Sequence, residues 1–250
     1  MVLLVRVVDL TQPLGPDTAM WPGSAAPSFD AGAGRGEDGV LARAVSVHEH
    51  SGTHLDAPLH FAAHGASVDQ IGADSLVGAL AVVDVRERTQ ADRDFHLSVC
   101  DLQEDEAAHG PIERGSAVAL LTGWSERRGN PADYLGLGGS GSMHFPGFGR
   151  AAAEWLVACR SVRGLGIDTA GIDPGIDSAS TVHAKVTLPH GVWHLEGLID
   201  LKLVPARGAT VFVGAIPFVG GTGAPARVIA IVPGTPRTAV SDRSPSERPL

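Results

Sequence analysis

Only two cysteines, Cys100 and Cys159, occur in 250 residues. They form neither a Cys-x-x-Cys pair nor a disulfide framework, which excludes a thiolate metal finger and a stapled secreted scaffold and makes a reducing cytoplasm the expected compartment. No stretch approaches the roughly 20 apolar residues of a bilayer span, so no membrane partner is expected. The apolar start, "MVLLVRVVDLTQPL", lacks a leading basic region and a small-residue cleavage site, and reads as a first strand. Basic residues are few and scattered: 19 Lys and Arg stand against 28 Asp and Glu, a net charge of -9. A nucleic-acid surface would need a basic stripe, so the expected partner is a small-molecule substrate. There is no G-x-S-x-G elbow of a serine hydrolase. "GGTGAP" (220–225) lacks the Lys-Ser/Thr of a phosphate loop and reads as a turn.

What remains is enough for a large core. Hydrophobic residues make up 44% and charged residues 19%, which suits one globular domain over residues 1–232. The polar, proline-rich stretch 233–250 is expected to be a mobile tail. Apolar, β-branched runs predict strands at 2–10, 41–50, 78–86, 116–124, 162–171, 208–219 and 226–232. Four of these, near 80, 118, 165 and 212, are almost continuously apolar and should be buried on both faces, with helices covering part of the sheet. Helices are predicted at 98–109, which opens with a cap and early acids, and at 147–160. Glycine and proline concentrate at 13–39 and 129–149, which read as long ordered loops. The class is α/β, one domain, with a mixed sheet curled around a core and helices outside it.

The strongest chemical signal is "HEHSGTHLDAPLHF", residues 48–61. With 11 histidines in the whole chain, fourteen residues should hold fewer than one; these hold four and an aspartate. From His50 the pattern is H-x3-H-x-D-x3-H, through His54 and Asp56 to His60. Even positions share a face of an extended chain. Two imidazoles and a carboxylate on one face make half a metal site, which needs further ligands from elsewhere. His48 and His64 flank the pattern and are read as structural.

"HSGTHLDAPLHF" resembles the signature of the cyclase family of metal-dependent hydrolases, which includes bacterial kynurenine formamidase and isatin hydrolase. "DLTQPLGPDTAMWPG" (9–23), "LLTGW" (120–124), "FPGF" (145–148), "GIDTAGIDPG" (166–175) and the stretch 190–231 resemble its other blocks in order. The resemblance implies that His50, His54 and Asp56 bind one metal, with Asp56 able to bridge to a second. It implies that Glu196 is a further ligand and that an upstream histidine completes the second site. His183 fits that place, although its spacing to Glu196 is about one residue longer than the pattern implies, so His190 is its rival. His60 matches a general acid/base and Trp21 a residue lining the substrate pocket. The implied fold is a swivelling β/β/α type, and the implied assembly a homodimer or higher homo-oligomer.

Residue chemistry and resemblance converge on hydrolysis of an amide-type C–N bond by metal-activated water. The substrate would be an aryl formamide such as N-formylkynurenine or a cyclic amide such as isatin. His60 would move the proton, since its unperturbed pKa of about 6.5 suits both directions. One or two divalent ions are expected, with Zn²⁺ favoured and Mn²⁺ the alternative. A lactone hydrolase, or a biosynthetic cyclase or dehydratase acting on a polyketide-like substrate, would use the same site.

Overall fold

Alternation along the apolar runs decides the architecture. In Val77–Asp84, Leu80 and Val82 join one buried cluster while Ala81 and Val83 join another. In Ala117–Leu121, Ala117, Ala119 and Leu121 face the first and Val118 and Leu120 the second. A strand buried on both faces needs a layer on each side, and the fold supplies a barrel interior and an outer coat of helices.

The structure is a computed structural model that describes residues 5–30, 39–139 and 141–234. Its main sheet has eight strands: β1 (Val5–Asp9), β2 (His54–Asp56), β3 (Val77–Asp84), β4 (Ala117–Leu121), β5 (Gly164–Ile167), β6 (Trp193–Glu196), β7 (Ala209–Ala215) and β8 (Gly223–Pro233). The strands β3, β4, β5 and β6 run parallel in that order. Antiparallel pairs of β6 with β2, β2 with β8, β8 with β7 and β7 with β3 close a ring of seven. The remaining strand, β1, pairs with the far end of β8. The expected single α/β domain with a mixed, curled sheet is therefore present, and its curl is complete.

Small residues keep the ring narrow: Ala117, Ala119, Ala209, Ala224, Ala226 and Ala230 lie in the interior cluster beside Leu55, Leu195 and Trp193. Gly164 admits the Trp193 ring, since a Cβ there would stand 2.2 Å from it. Outside, α1 (Val99–His109) and α2 (Arg150–Trp155) pack Leu102, Ala152 and Ala153 onto β3, β4 and β5. The capping box of α1 is formed as its sequence suggests, with Asp101 N donating to Ser98 Oγ and Ser98 N donating to Asp101 Oδ2. Among the described residues, no helix is long and apolar enough to cross a membrane.

Several boundaries differ from the sequence expectations. The strand expected at 41–50 reduces to Val45–Ser46, because its side chains are exposed and it pairs only with Ser28–Phe29. Gly147–Phe148 pairs with His96–Leu97 before α2 begins, and α2 runs on as a wide π turn over Leu156–Arg160. "GGTGAP" is not wholly a turn. Gly223–Pro225 is strand, because β2 needs a partner along that edge. The strand β6 lacked an apolar run to announce it. Residues 235–250, most of the expected tail, residues 31–38 of the first expected long loop, and residues 1–4, which include positions 2–4 of the expected first strand, lie outside the described set.

Asp168 ties the ends of two central strands together. Its carboxylate accepts from Thr122 N at 2.9 Å and Thr122 Oγ1 at 2.5 Å, and from Gly123 N at 2.8 Å. Burial pushes its pKa up to about 6, outweighing those hydrogen bonds. The folded value lies above the ordinary one of 3.8, so the associated stability is complete below that pH and is lost as pH rises through about 6. The loss is on the order of 3 kcal/mol. Urea unfolding should show the stability difference between wild type and Asp168→Asn shrinking by about that amount from pH 4 to pH 7; a difference independent of pH would contradict the assignment.

Candidate metal centre

The histidine-rich stretch folds so that its even positions meet those of a distant strand. In the β2–β6 pair, Asp56 lies opposite His194 and His54 opposite Glu196. Leu55 and Leu195, between them, point into the barrel. All four polar side chains therefore stand on the outer face of the wall, where they are buried. On the other edge of β2, Gly223 faces Asp56. A Cβ at Gly223 would come within 2.5 Å of the His50 ring, so glycine there lets that ring lie against the sheet.

Asp56 is the hub. Its Oδ1 lies 2.6 Å from His50 Nδ1 and 3.2 Å from His54 Nε2, and its Oδ2 lies 3.3 Å from His183 Nε2 and 3.7 Å from His194 Nδ1. Glu196 lies 3.1 Å from His183 Nε2 and 3.5 Å from His54 Nε2. Among the described residues, two groups could each hold a cation, with donor atoms within 4.8 Å of one another: Asp56, His183, His194 and Glu196, all buried, and His50, Asp56 and His60.

Each imidazole is tethered by its outer nitrogen. His50 Nε2 donates to Thr222 Oγ1 at 3.1 Å, a hydroxyl whose own hydrogen goes to Glu49. His54 Nδ1 donates to Gly52 O at 3.0 Å, and His183 Nδ1 to Asp173 Oδ2 at 2.5 Å. His194 Nε2 donates to Thr187 Oγ1 at 2.7 Å, and Thr187 in turn donates to Val182 O. All four inner nitrogens thus point at two carboxylates. One of them, His194 Nδ1, is buried without a hydrogen-bond partner. An outer oxygen that fixes the tautomer while the inner lone pair faces a common point is the arrangement of metal-ligating histidine.

The electrostatics agree. Burial would push the His54 pKa down, but Asp56 and Glu196 outweigh it and hold the ring at about 9. His183 is likewise held well above the ordinary value, by Asp173, Asp56 and Glu196 against burial. Asp56 stays well below the carboxylate range, since His54 and its imidazole hydrogen bonds overcome burial. His194 goes the other way, lowered by burial and by the neighbouring His183. The carboxylates thus demand positive charge at this point.

His60 stacks on His50, with centroids 4.1 Å apart and planes inclined by 30°. Burial, reinforced by His50 and His183, lowers it to about 4 despite Asp56, which leaves a neutral ring at physiological pH. Trp21 is 45% exposed and meets Phe145 edge-on at 6.4 Å. Both His60 and Trp21 line a cavity of about 510 Å³ that reaches Asp56, His183 and Glu196. His48 touches the same cavity and donates nothing to the carboxylates; its Nδ1 accepts from His50 N.

His183, not His190, enters the centre. The ring of His190 turns back to Val186 O at 2.8 Å. His183 lies on a π turn over Val182–Thr187 that presents its ring to the carboxylates. Sequence reasoning missed His194. The signal was there, since His194 and Glu196 are two apart in "WHLE" and share a face by the same even spacing that singles out His50 to His60.

Residues 8–174 match the family model described as a putative cyclase. The chain is similar to an isatin hydrolase of Roseibium aggregatum, 29% identical over 92% of each chain. It is also similar to a kynurenine formamidase of Salinibacter ruber, 27% identical over 90% of this chain and 97% of the relative. Among solved structures, isatin hydrolase A from Labrenzia aggregata, bound to benzyl benzoate, superposes with a TM-score of 0.85 at 33% identity, covering 92% of this chain and 94% of the other.

Proposed function

The chain belongs to the cyclase family, and on that premise we propose that it is a metal-dependent hydrolase that opens the C–N bond of an aryl formamide or a cyclic aryl amide. The observation that carries this reading is the convergence of four outward-tethered imidazoles on Asp56 and Glu196. A buried donor set of that kind fits a divalent cation, and the unpartnered His194 Nδ1 is the nitrogen such an ion would satisfy. His50, His54, Asp56, His183, His194 and Glu196 would hold one or two ions. Imidazoles outnumber carboxylates four to two, so zinc is favoured, with manganese the alternative. Such an ion, when bound, would supply Lewis acidity for a carbonyl and would lower the pKa of water to about 7.

The chain's own residues do the rest. His60, neutral and facing the cavity, takes the proton from the attacking water and returns it to the departing nitrogen. Trp21 and Phe61 give the cavity aromatic surface for a planar ring, and its volume suits a one- or two-ring molecule. Isatin and N-formylkynurenine are of that class, in keeping with relatives named isatin hydrolase and kynurenine formamidase. The reading includes a cytoplasmic homo-oligomer, consistent with both cysteines being free and with an exposed apolar edge at Val5 and Val7.

Metal analysis of the protein as isolated, followed by mass spectrometry of a panel of isatin, N-formylkynurenine and simple lactones, tests the proposal. Hydrolysis adds the mass of one water across a C–N bond. A product of unchanged mass, or one lighter by water, would replace it with a cyclase or dehydratase activity; turnover confined to lactones would move it to ester chemistry.

A further inference from the structure

A second cavity, of about 440 Å³, opens at the end of the barrel where the parallel strands begin. Among the described residues, it shares no wall residue with the cavity of the metal centre. Arg163, just before β5, and Trp193, at the start of β6, both line it. So do Pro58, Ile71, Leu188 and Pro189, an apolar set. Pro58 opens the turn that carries His60, and Leu188 follows the π turn that carries His183. Among the described residues, no aspartate or glutamate lines this cavity.

Two donors there lack acceptors. Trp193 is 1% exposed, and its Nε1 is buried without a hydrogen-bond partner. The benzo half of its ring lies over Gly164 in β5. The β2–β6 register, with His194 opposite Asp56, puts Ala57 and Pro58 on the other side of Trp193. The half of the ring that carries Nε1 is therefore turned toward Pro58 and the cavity. Arg163 has five N–H hydrogens. Its Nε donates to Gly115 O, and its Nη1 to Asp74 O at 2.9 Å and Val77 O at 3.0 Å. Those carbonyls take three of the five and fix the guanidinium without neutralising it. The two hydrogens on Nη2 have no acceptor among the described residues. A fixed positive charge and a buried N–H beside apolar walls fit an oxyanion carried on a small hydrocarbon frame.

We propose that this cavity is a binding site for a small organic carboxylate, with Arg163 Nη2 and Trp193 Nε1 donating to its oxygens and the apolar walls receiving its frame. The site is separate from the metal centre, and the inference does not depend on the reaction assigned there. Gln70 also lines the cavity and is exposed. It closes a capping box by accepting from Ser67 N at 3.1 Å, a bond that glutamate makes equally well. Gln70→Glu therefore adds a negative charge to the site while keeping the local fold.

Benzoate is the probe, benzamide its neutral match and inorganic phosphate a bare oxyanion. The ¹⁵N-labelled protein is titrated with each, and binding is read from the indole N–H signal of Trp193, assigned by its loss in Trp193→Phe. That signal separates this site from benzoate held at the metal centre. Benzoate should shift it, with a Kd about tenfold or more below those of benzamide and phosphate, since hydrogen bonds between charged groups are the stronger ones. Gln70→Glu should weaken benzoate about fivefold, and Arg163→Gln should abolish the preference for benzoate over benzamide. A Trp193 signal that benzoate leaves unmoved, equal affinities for benzoate and benzamide, phosphate binding as tightly as benzoate, or a benzoate Kd unchanged in Gln70→Glu would each overturn the assignment.

Discussion

Asp56→Asn is expected to leave the protein without metal and to lower kcat/KM by more than about a hundredfold. Loss of an outer partner of a metal ligand costs about ten- to a hundredfold, and Asp56 touches the donor atoms themselves. It is the one residue shared by both cation-holding groups, and it lies within 3.7 Å of four imidazole nitrogens. Asparagine has the same shape, but it removes one of two negative charges and turns an amide donor toward nitrogens that need an acceptor or a cation. Elemental analysis should find the metal content of the purified variant collapsed, and added metal should not restore activity. A variant that kept its full complement of metal would remove Asp56 from the ligand set. Metal binding to wild type should also release protons, since the carboxylates hold His54 and His183 above their ordinary pKa and a cation takes over that role. Affinity should therefore fall as pH is lowered.

His60→Ala should cost about 10² to 10⁴ in kcat/KM, the usual contribution of a positioned acid/base, with metal content unchanged. His60 is half-buried, pressed against His50 and held neutral, so its unprotonated form is the one present above about pH 4. The same proximity makes it a geometrically competent third donor with His50 and Asp56. The two roles separate cleanly. If metal is lost together with activity, His60 is a ligand; if activity alone is lost, it moves protons; if neither changes, both roles are wrong.

The local half of this centre was legible because its residues are close in sequence. His54 and Asp56 share a face of β2 as their even numbering requires, whereas His50 joins them from a turn, across Gly52 at φ 62°, and His60 from the 3-10 turn Pro58–His60. The distant half was harder for two physical reasons. Glu196 and His194 sit on a strand of four residues whose alternate side chains are polar on one face, so no apolar run marks it. His183 is delivered by a π turn, a conformation that simple helical periodicity does not express. The central strands were read from burial on both faces and hold within a few residues. The short edge pairings were not, because two-residue ladders are set by their neighbours rather than by their own side chains.

The seam that carries the chemistry also sets when it can exist. Thr53 Oγ1 donates to Gly197 O across 144 residues of chain, and β2 is held on its other edge by residues as late as Pro225. Contacts that distant in sequence are slow to form. A growing chain therefore carries its conspicuous histidine stretch long before it owns the assembled site. His54 and Asp56 can meet His194 and Glu196 only once β2 and β6 have paired, so that join doubles as the inspection mark of a finished site.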